Sequence, residues 1–259
     1  MATIEAQPAP VRRTVVSRVK DALRPLEPWL PERGGTTLSW RLALQALRHH
    51  GFEPRTVFDI GVGFGTWGLY RAFPQADYHL VDPTPEALPY MRKIARRLGR
   101  GAQVHALALG DRDGEARFEI RADIQGSTLL EEVGERDFLR FETVPMRRFD
   151  RLFARFARPA LAKIDVQGAE LMVLEGMTER LAEIDALIVE TSTIATVKGG
   201  AELGAVVRFM GERGFVVADI IGLKRRPLDG ATAQLDLLFV PETAPLRADR
   251  RWSGAQGPR

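Results

Sequence analysis

The sequence predicts an α/β fold in which a mostly parallel sheet of seven strands carries helices on both faces. Short apolar runs of strand length alternate along the chain with amphipathic stretches of helical period. A glycine-rich turn follows the first of these runs, where a strand passes into a helix. The last two apolar runs have no helical stretch between them, so we expect at least one of these terminal strands to run antiparallel to the rest.

The elements follow in order from this pattern. Thr36 or Thr37 is expected to cap a first helix, which ends at Gly51. The seven strands are expected at 56–60, 78–81, 104–109, 160–166, 186–190, 215–221 and 235–240, with an antiparallel excursion at 116–120. Further helices are expected from about 67, over 88–98 with Gly99 as the stop, over 169–174, and around 203–210.

The composition suits one large domain with short extensions. The chain has 259 residues, of which 45% are hydrophobic. It has no cysteine, which excludes disulfides, thiolate zinc sites and cysteine nucleophiles. Because the sequence has neither an apolar run of membrane-spanning length nor the apolar core of a secretory signal, we expect a cytoplasmic protein.

The chain divides into three parts. Residues 1–35 contain five prolines and end on a glycine pair, which indicates an N-terminal extension. Within it, residues 11–24 can form a basic amphipathic helix, for which docking on its own domain is favoured over peripheral contact with a membrane or a partner. The main domain is expected over 36–240, followed by a polar tail over 241–259.

The charge pattern leaves the partner open. Of the 37 basic residues, 32 are arginines, which bind phosphate and carboxylate groups well. They are spread over the whole chain rather than clustered, so genomic base composition and a solvated surface explain them better than a nucleic-acid partner.

The turn after the first strand indicates a nucleoside-binding site. Asp59 precedes a GxGxG pattern made by Gly61, Gly63 and Gly65. Dinucleotide phosphates favour bare helix N-terminal amides, whereas a carboxylate beside the loop suits the cationic groups of S-adenosylmethionine. Asp82, 21 residues after Gly61 at the end of the second strand, can accept hydrogen bonds from both ribose hydroxyls. Nicotinamide enzymes also have an acid at this position, so Asp82 does not distinguish S-adenosylmethionine from a nicotinamide cofactor.

Five segments together resemble the FkbM-type methyltransferases. The most specific is KIDVQGAELMVLEGM, and the others are VPMRRFDRLF, QLDLLFV, VFDIGVGFGTW and LVDPTPEALPYMR. The resemblance covers roughly residues 55–240. It implies the Rossmann-like fold of class I methyltransferases and S-adenosylmethionine-dependent O-methylation of a sugar, glycan or polyketide-type hydroxyl.

Matched onto the family's motifs, the glycine loop and Asp82 correspond to the donor-binding residues. Ala108 and Leu109, at the end of the expected third strand, correspond to the place of the adenine ring. Ser127 and Thr128, in the GSTL segment, correspond to a lid on the donor side.

Asp165, at the carboxyl end of the fourth strand, is the first candidate for the catalytic base or the group that orients the acceptor hydroxyl. The alternative is structural: its carboxylate would accept hydrogen bonds from the amides that begin the following helix. Glu190, at the end of the fifth strand, is the second candidate, and Glu170 would complement its helix N-terminus. The histidines and acids show no metal-ligand spacing, so no metal is expected, with magnesium at Asp165 and Glu190 as the remaining alternative.

Other functions stay open at this point. A nucleic-acid ribose 2′-hydroxyl methyltransferase is the first alternative, although the fourth strand lacks the Asn/Asp-Pro-Pro-aromatic motif of amino-group methylases. A nicotinamide oxidoreductase is the second, and a binding module without catalysis the third. The sequence does not indicate the oligomeric state.

Overall fold

A computed structural model describes residues 38–99, 101–133 and 138–251. The strands are β1 (Thr56–Ile60), β2 (Asp77–Val81), β3 (Ala102–His105), β4 (Ala108–Leu109), β5 (Gly114–Arg121), β6 (Phe138–Arg147), β7 (Ala160–Ile164), β8 (Ala186–Ser192), β9 (Phe215–Arg225) and β10 (Thr232–Pro241). The α-helices are α1 (Trp40–His49), α2 (Trp67–Ala72), α3 (Leu88–Leu98), α4 (Phe149–Leu152), α5 (Glu170–Glu175) and α6 (Leu203–Gly211).

Seven strands form the main sheet in the order β3-β2-β1-β7-β8-β10-β9. β10 runs antiparallel to both β8 and β9, while the other neighbouring strands pair in parallel. This confirms the predicted class I methyltransferase fold with its antiparallel terminal strand. The strand order reverses between β1 and β7, and in such sheets ligands bind beyond the carboxyl ends of the strands at the reversal.

Helices cover both faces of this sheet, as predicted. Val57 and Leu161 point into a core shared with α1, α2 and α3, and Phe58 and Ala162 point into one shared with α4, α5 and α6. Because adjacent strand residues face opposite sides, a strand buried on both faces carries apolar residues on both of them. This explains why β1 and β7 appear in the sequence as short, mainly apolar runs, in which Asp59 and Lys163 are the charged exceptions.

The expected third strand, 104–109, is wrong in one respect. The main-sheet strand ends at His105, and Ala108–Leu109 pairs instead with β6 in a second sheet, ordered β4-β6-β5. A continuous apolar run hides this change because it has no turn residue at the break. The antiparallel excursion is confirmed, since β5 pairs antiparallel with β6.

Two further boundaries differ from those expected. The first helix begins at Trp40, and its cap is Ser39, whose Oγ accepts from the Leu42 amide at 3.3 Å, so neither Thr36 nor Thr37 is the cap. β8 continues two residues past Glu190, which places that acid within the strand rather than at its end.

The extension 1–35, with its amphipathic stretch 11–24, lies outside the described residues, as does 252–259 of the tail. The domain limits at 36 and 240 therefore stay predictions. Within the described ranges, no helix has both the length and the apolar character needed to cross a membrane.

Candidate active site

The glycine loop is fastened directly to the carboxyl end of β7. Gly61 has a φ of 79°, and a Cβ added there would lie 1.7 Å from the Asp165 carbonyl oxygen. Only glycine permits this approach of the two backbones. The amide of Asp165 donates to the Ile60 carbonyl at 3.0 Å. The glycine loop and Asp165, the candidate base, therefore lie next to each other at the carboxyl edge of the sheet.

Asp82 holds the glycine loop from the other side. Its carboxylate accepts from the amides of Gly63 and Thr84, both at 2.8 Å. Burial raises the pKa of Asp82 above its ordinary value, and these amides oppose the rise. Each carboxylate oxygen retains capacity for a second hydrogen bond, so the predicted ribose contact is compatible with this arrangement.

Asp59 lies behind the loop and is fully buried. It accepts hydrogen bonds from the Thr66 hydroxyl at 3.0 Å and from the Tyr70 hydroxyl. Burial and the Asp59 carboxylate raise the pKa of Tyr70, which keeps this phenol a donor. Asp59 therefore fastens the start of α2 to β1. Its predicted direct contact with the donor stays a prediction.

Lys163 is a site residue that the sequence reasoning missed. It lies on β7 directly beside Asp59 on β1. Its Nζ donates to the Gly61 carbonyl at 2.6 Å and lies 3.5 Å from Asp59 and 3.4 Å from Asp165. Burial lowers its pKa, but Asp165 and Asp59 outweigh burial, so the pKa is raised and the amine stays charged. A lone lysine inside an apolar strand is the signal that could have found it, because buried lysines are paired.

Asp165 and Glu190 are brought together by the side chain of Gln167. The Nε2 atom of Gln167 donates to Asp165 Oδ1 and to Glu190 Oε2, both at 2.6 Å. The Asp165 side chain is 30% exposed and that of Glu190 3%. Asp165 is therefore the carboxylate of the pair that is open to solvent.

Glu190 receives two more donors from the antiparallel strands. Lys224 on β9 donates to Oε1 at 2.6 Å, and Gln234 on β10 donates to Oε2 at 2.8 Å. The sequence reasoning named neither residue.

The two carboxyl groups differ in their titration. Burial and the neighbouring Asp165 raise the pKa of Glu190 well above its ordinary value. Burial opposes the ionisation of Asp165 too, but Lys163, Lys224 and the Gln167 amide outweigh burial and lower its pKa. Two carboxyls whose environments separate their pKa values divide into a proton holder and a proton acceptor. Burial therefore favours the neutral form of Glu190, and the neighbouring cations favour the ionised form of Asp165.

The structural alternative for Asp165 is wrong. The amides of Val166 and Gly168 donate to the Glu170 carboxylate at 3.0 Å, and no described backbone amide donates to the Asp165 side chain. Glu170 is therefore the residue that stabilises the turn before α5. Burial raises the pKa of Glu170 to about 7, and the Gly168 amide opposes this.

The segment predicted as a lid lies next to the glycine loop, but the residue nearest the loop is Gln125 rather than Ser127 or Thr128. Ser127 accepts from the Arg121 amide at 3.1 Å, and Thr128 from the Leu130 amide at 3.2 Å, so both hydroxyls serve their own segment. Gln125 is the side chain nearest Gly63, where an added Cβ would lie 3.5 Å from its Cγ.

Ala108 and Leu109 are buried, at 3% and 2% exposure. They lie three and four residues beyond the end of β3, so they are not at the strand end where the resemblance placed them. Their predicted contact with adenine stays a prediction.

The described contacts of the histidines involve neither Asp165 nor Glu190. His79 on β2 and His105 on β3 approach each other at 3.1 Å between Nδ1 and Nε2, and His79 stacks on Phe58. His49 ends α1 and His50 follows it. Among the described residues, no group of three or more histidines, aspartates or glutamates could hold a metal ion.

The comparisons with known proteins identify the family. A model described as the methyltransferase FkbM domain matches residues 59–217, which is more than half of the chain. A search of curated proteins found no match.

Several solved structures are similar to this chain at low identity. Precorrin-6y C5,15-methyltransferase from Geobacter metallireducens is 13% identical over 80% of this chain and 91% of that one, with a TM-score of 0.42. The 1,6-didemethyltoxoflavin-N1-methyltransferase of Burkholderia thailandensis is 15% identical over 93% and 94%, with a TM-score of 0.40. The magnesium protoporphyrin IX methyltransferase of Synechocystis is 11% identical over 90% and 100%, with a TM-score of 0.43.

Proposed function

The chain belongs to the FkbM methyltransferase domain family, and on this premise we propose that it transfers a methyl group to a hydroxyl of a sugar, glycan or polyketide-type acceptor. The observation that carries the proposal is the position of Asp165. It is the partly exposed carboxylate of the pair that Gln167 bridges, it lies 3.4 Å from the Lys163 Nζ, and it adjoins the glycine loop. A hydroxyl needs such a group to orient it and to accept its proton.

S-adenosylmethionine is the methyl donor, and the residues of the site fit it. Acidic side chains outnumber basic ones at this edge even without the two glutamates; the aspartates are Asp59, Asp82 and Asp165, and the bases are Lys163 and Lys224. An excess of acid suits a cationic ligand and disfavours a pyrophosphate. When bound, the donor supplies a methyl group activated by the positive charge of its sulfonium.

The chain's own residues supply alignment and proton transfer. The Asp165 carboxylate accepts the hydrogen bond of the acceptor hydroxyl and takes its proton as the oxygen–methyl bond forms. Lys163 favours the ionised form of this carboxylate and also donates to the Gly61 carbonyl. It therefore fixes the position of Asp165 relative to the glycine loop. Holding the reacting groups in line supplies much of the rate enhancement of a displacement.

The test is a product analysis with isotope-labelled S-adenosylmethionine. The acceptor panel contains glycans, glycolipids and polyketides, with ribose-containing RNA and amine analogues as comparison arms. We expect labelled methyl on oxygen in at least one hydroxyl acceptor, located by tandem mass spectrometry. Label on nitrogen or carbon alone, or on RNA alone, would overturn the proposed acceptor class while leaving the methyltransferase family intact.

A further inference from the structure

The backbone at Gln167 has an unusual conformation. Its φ is 58°, and among the described residues it is the one residue other than glycine with a positive φ. Glycine adopts this left-handed region without penalty, whereas a side chain is strained there. The neighbouring Gly168 shows that glycine is used in the same turn. Glutamine therefore has to provide an interaction that glycine lacks.

The interaction is a bridge between two carboxyl groups. The side chain of Gln167 makes two hydrogen bonds of 2.6 Å, one to Asp165 and one to Glu190. An amide nitrogen carries two N–H groups, so each carboxyl receives one. Two carboxyls this close repel each other when both are ionised. The bridging donors reduce that repulsion and fix the relative orientation of the two groups.

We propose that Gln167 is a positioning residue, whose side-chain amide orients the Asp165 carboxylate beside Glu190 and stabilises its ionised form by hydrogen bonding. That this prepares Asp165 for an acceptor hydroxyl rests on the proposed function. The hydrogen bonds of Gln167 to the two carboxyl groups do not depend on that function.

Other charged groups act on the pair and remain in place when Gln167 is changed. They are Lys163 on β7, Lys224 on β9, Asp236 on β10 and Glu170 on α5, while Asp59 on β1 acts through Lys163. The effect of Gln167 must therefore be separated from theirs by a matched control.

Gln234 provides that control. Its Nε2 donates at 2.8 Å to Oε2 of Glu190, the same oxygen that Gln167 contacts, and none of its described hydrogen bonds reaches Asp165. Gln167→Met removes a donor from both carboxyls, whereas Gln234→Met removes a donor from Glu190 alone. Both changes keep the side-chain length.

The experiment is a carboxyl ¹³C NMR titration of the full chain, without an acceptor. The Asp165 resonance is identified by its loss in Asp165→Asn. Removing a donor to a carboxylate disfavours the ionised form, so in Gln167→Met the Asp165 midpoint should rise by about one pH unit or more. In Gln234→Met it should stay within about 0.3 of the wild-type value. An unchanged midpoint in Gln167→Met, or equal rises in both variants, would overturn the proposal.

A second variant covers the case in which Gln167→Met folds poorly. Gln167→Gly removes the same side chain and relieves the left-handed strain, so its Asp165 midpoint should rise as in the methionine variant. Melting temperature and calorimetric binding of S-adenosylhomocysteine check the fold and the donor site.

The titration needs no acceptor, so its outcome is independent of the search for a methylated product. If no hydroxyl is methylated but the midpoints move as expected, the proposed acceptor class fails and the bridge stands. If a hydroxyl is methylated and the midpoints do not move, the reverse holds.

Discussion

The two halves of the sheet build their polar sites by different means. In the donor half, made of β1, β2, β3 and their loops, Asp82 is 5% exposed and is bound by backbone amides within 19 residues of it. In the acceptor half, made of β7 to β10, Asp165 is held by side chains and its own side chain is 30% exposed. The Asp82 carboxylate is thus held by backbone amides, and the Asp165 carboxylate by side-chain contacts.

This difference has a consequence for substitutions. Where a carboxylate holds backbone amides, removing it disturbs the loop itself. Where side chains hold one another, a conservative change can alter chemistry and leave the backbone unchanged. Substitutions of Asp165 should therefore separate activity from stability, and those of Asp82 should not.

The largest effect is expected from Asp165→Asn. If Asp165 takes the acceptor proton, turnover should fall by roughly 10²–10⁴-fold, the usual contribution of a positioned general base. The fold and the affinity for S-adenosylmethionine should be retained, since no described backbone amide depends on this side chain. Turnover is measured by mass spectrometry of the methylated product, and affinity by calorimetry.

The matched control is Asp219→Asn, an exposed aspartate on β9, which should leave turnover unchanged. Full activity in Asp165→Asn would contradict the assignment and move the base to Glu190. A fall in donor affinity alongside turnover would instead show that Asp165 contacts the donor's cationic end.

The second expected effect is on stability, at the boundary between the two halves. Lys163→Met leaves Asp59 and Asp165 without the cation between them, and breaking such a buried pair costs about 3–5 kcal/mol. The free energy of unfolding from urea titration measures this. Lys198→Met, an exposed lysine paired with Glu131, is the control and should change it little. Equal losses in both variants would contradict the role assigned to Lys163.

The sequence was informative about the donor half because its signals are local. The strand Thr56–Ile60, the helix stop at Gly99 and the acid at Asp82 all lie where they were expected. Each depends on neighbours close in the chain, such as a turn glycine or the alternation of apolar residues. The same local reasoning failed at 104–109, because a run of apolar residues does not show where a strand changes sheets.

The acceptor half was less accessible for a physical reason. Glu190 is held by Lys224, 34 residues away, and by Gln234, 44 residues away. These contacts exist only because β10 inserts between β8 and β9. A single sequence identifies Asp165 and Glu190 as acids near strand ends, but it does not show which side chains the antiparallel strands bring to them. The left-handed turn at Gln167 gives no signal either, since glutamine rarely adopts it.

A third prediction concerns the donor half. Asp82→Ala should weaken binding of S-adenosylmethionine at least about tenfold, because charge-assisted hydrogen bonds contribute roughly 1.5–3 kcal/mol each. It should also lower stability, since the amides of Gly63 and Thr84 lose their acceptor. Asp77→Ala, at the opposite end of β2, is the control for donor affinity. Weakened binding with an unchanged melting temperature would contradict the view that donor-half substitutions disturb binding and backbone together.

The smallest expected effect, on the pH dependence of stability, has opposite signs at Glu170 and at His79. In the acceptor half, burial raises the pKa of Glu170 from 4.5 to about 7. The folded chain then keeps a proton that the unfolded chain has released, so this contribution to stability is lost as pH rises from about 4.5 to about 7. In the donor half, burial and His105 lower the pKa of His79 from 6.5 to about 4. Here the unfolded chain takes up the proton first, so stability is lost as pH falls from about 6.5 to about 4.

The two trends oppose each other between about pH 4.5 and 6.5 and partly cancel in the wild-type chain. Glu170→Gln keeps an acceptor for the turn and removes the ionisation, so its melting temperature should rise more steeply with pH over this interval than that of the wild type. His79→Phe keeps the ring stacked on Phe58 and removes the base, so its melting temperature should rise less steeply, or fall. Melting curves at three pH values measure both slopes. Identical slopes in all three proteins would show that burial does not separate the two halves in this way.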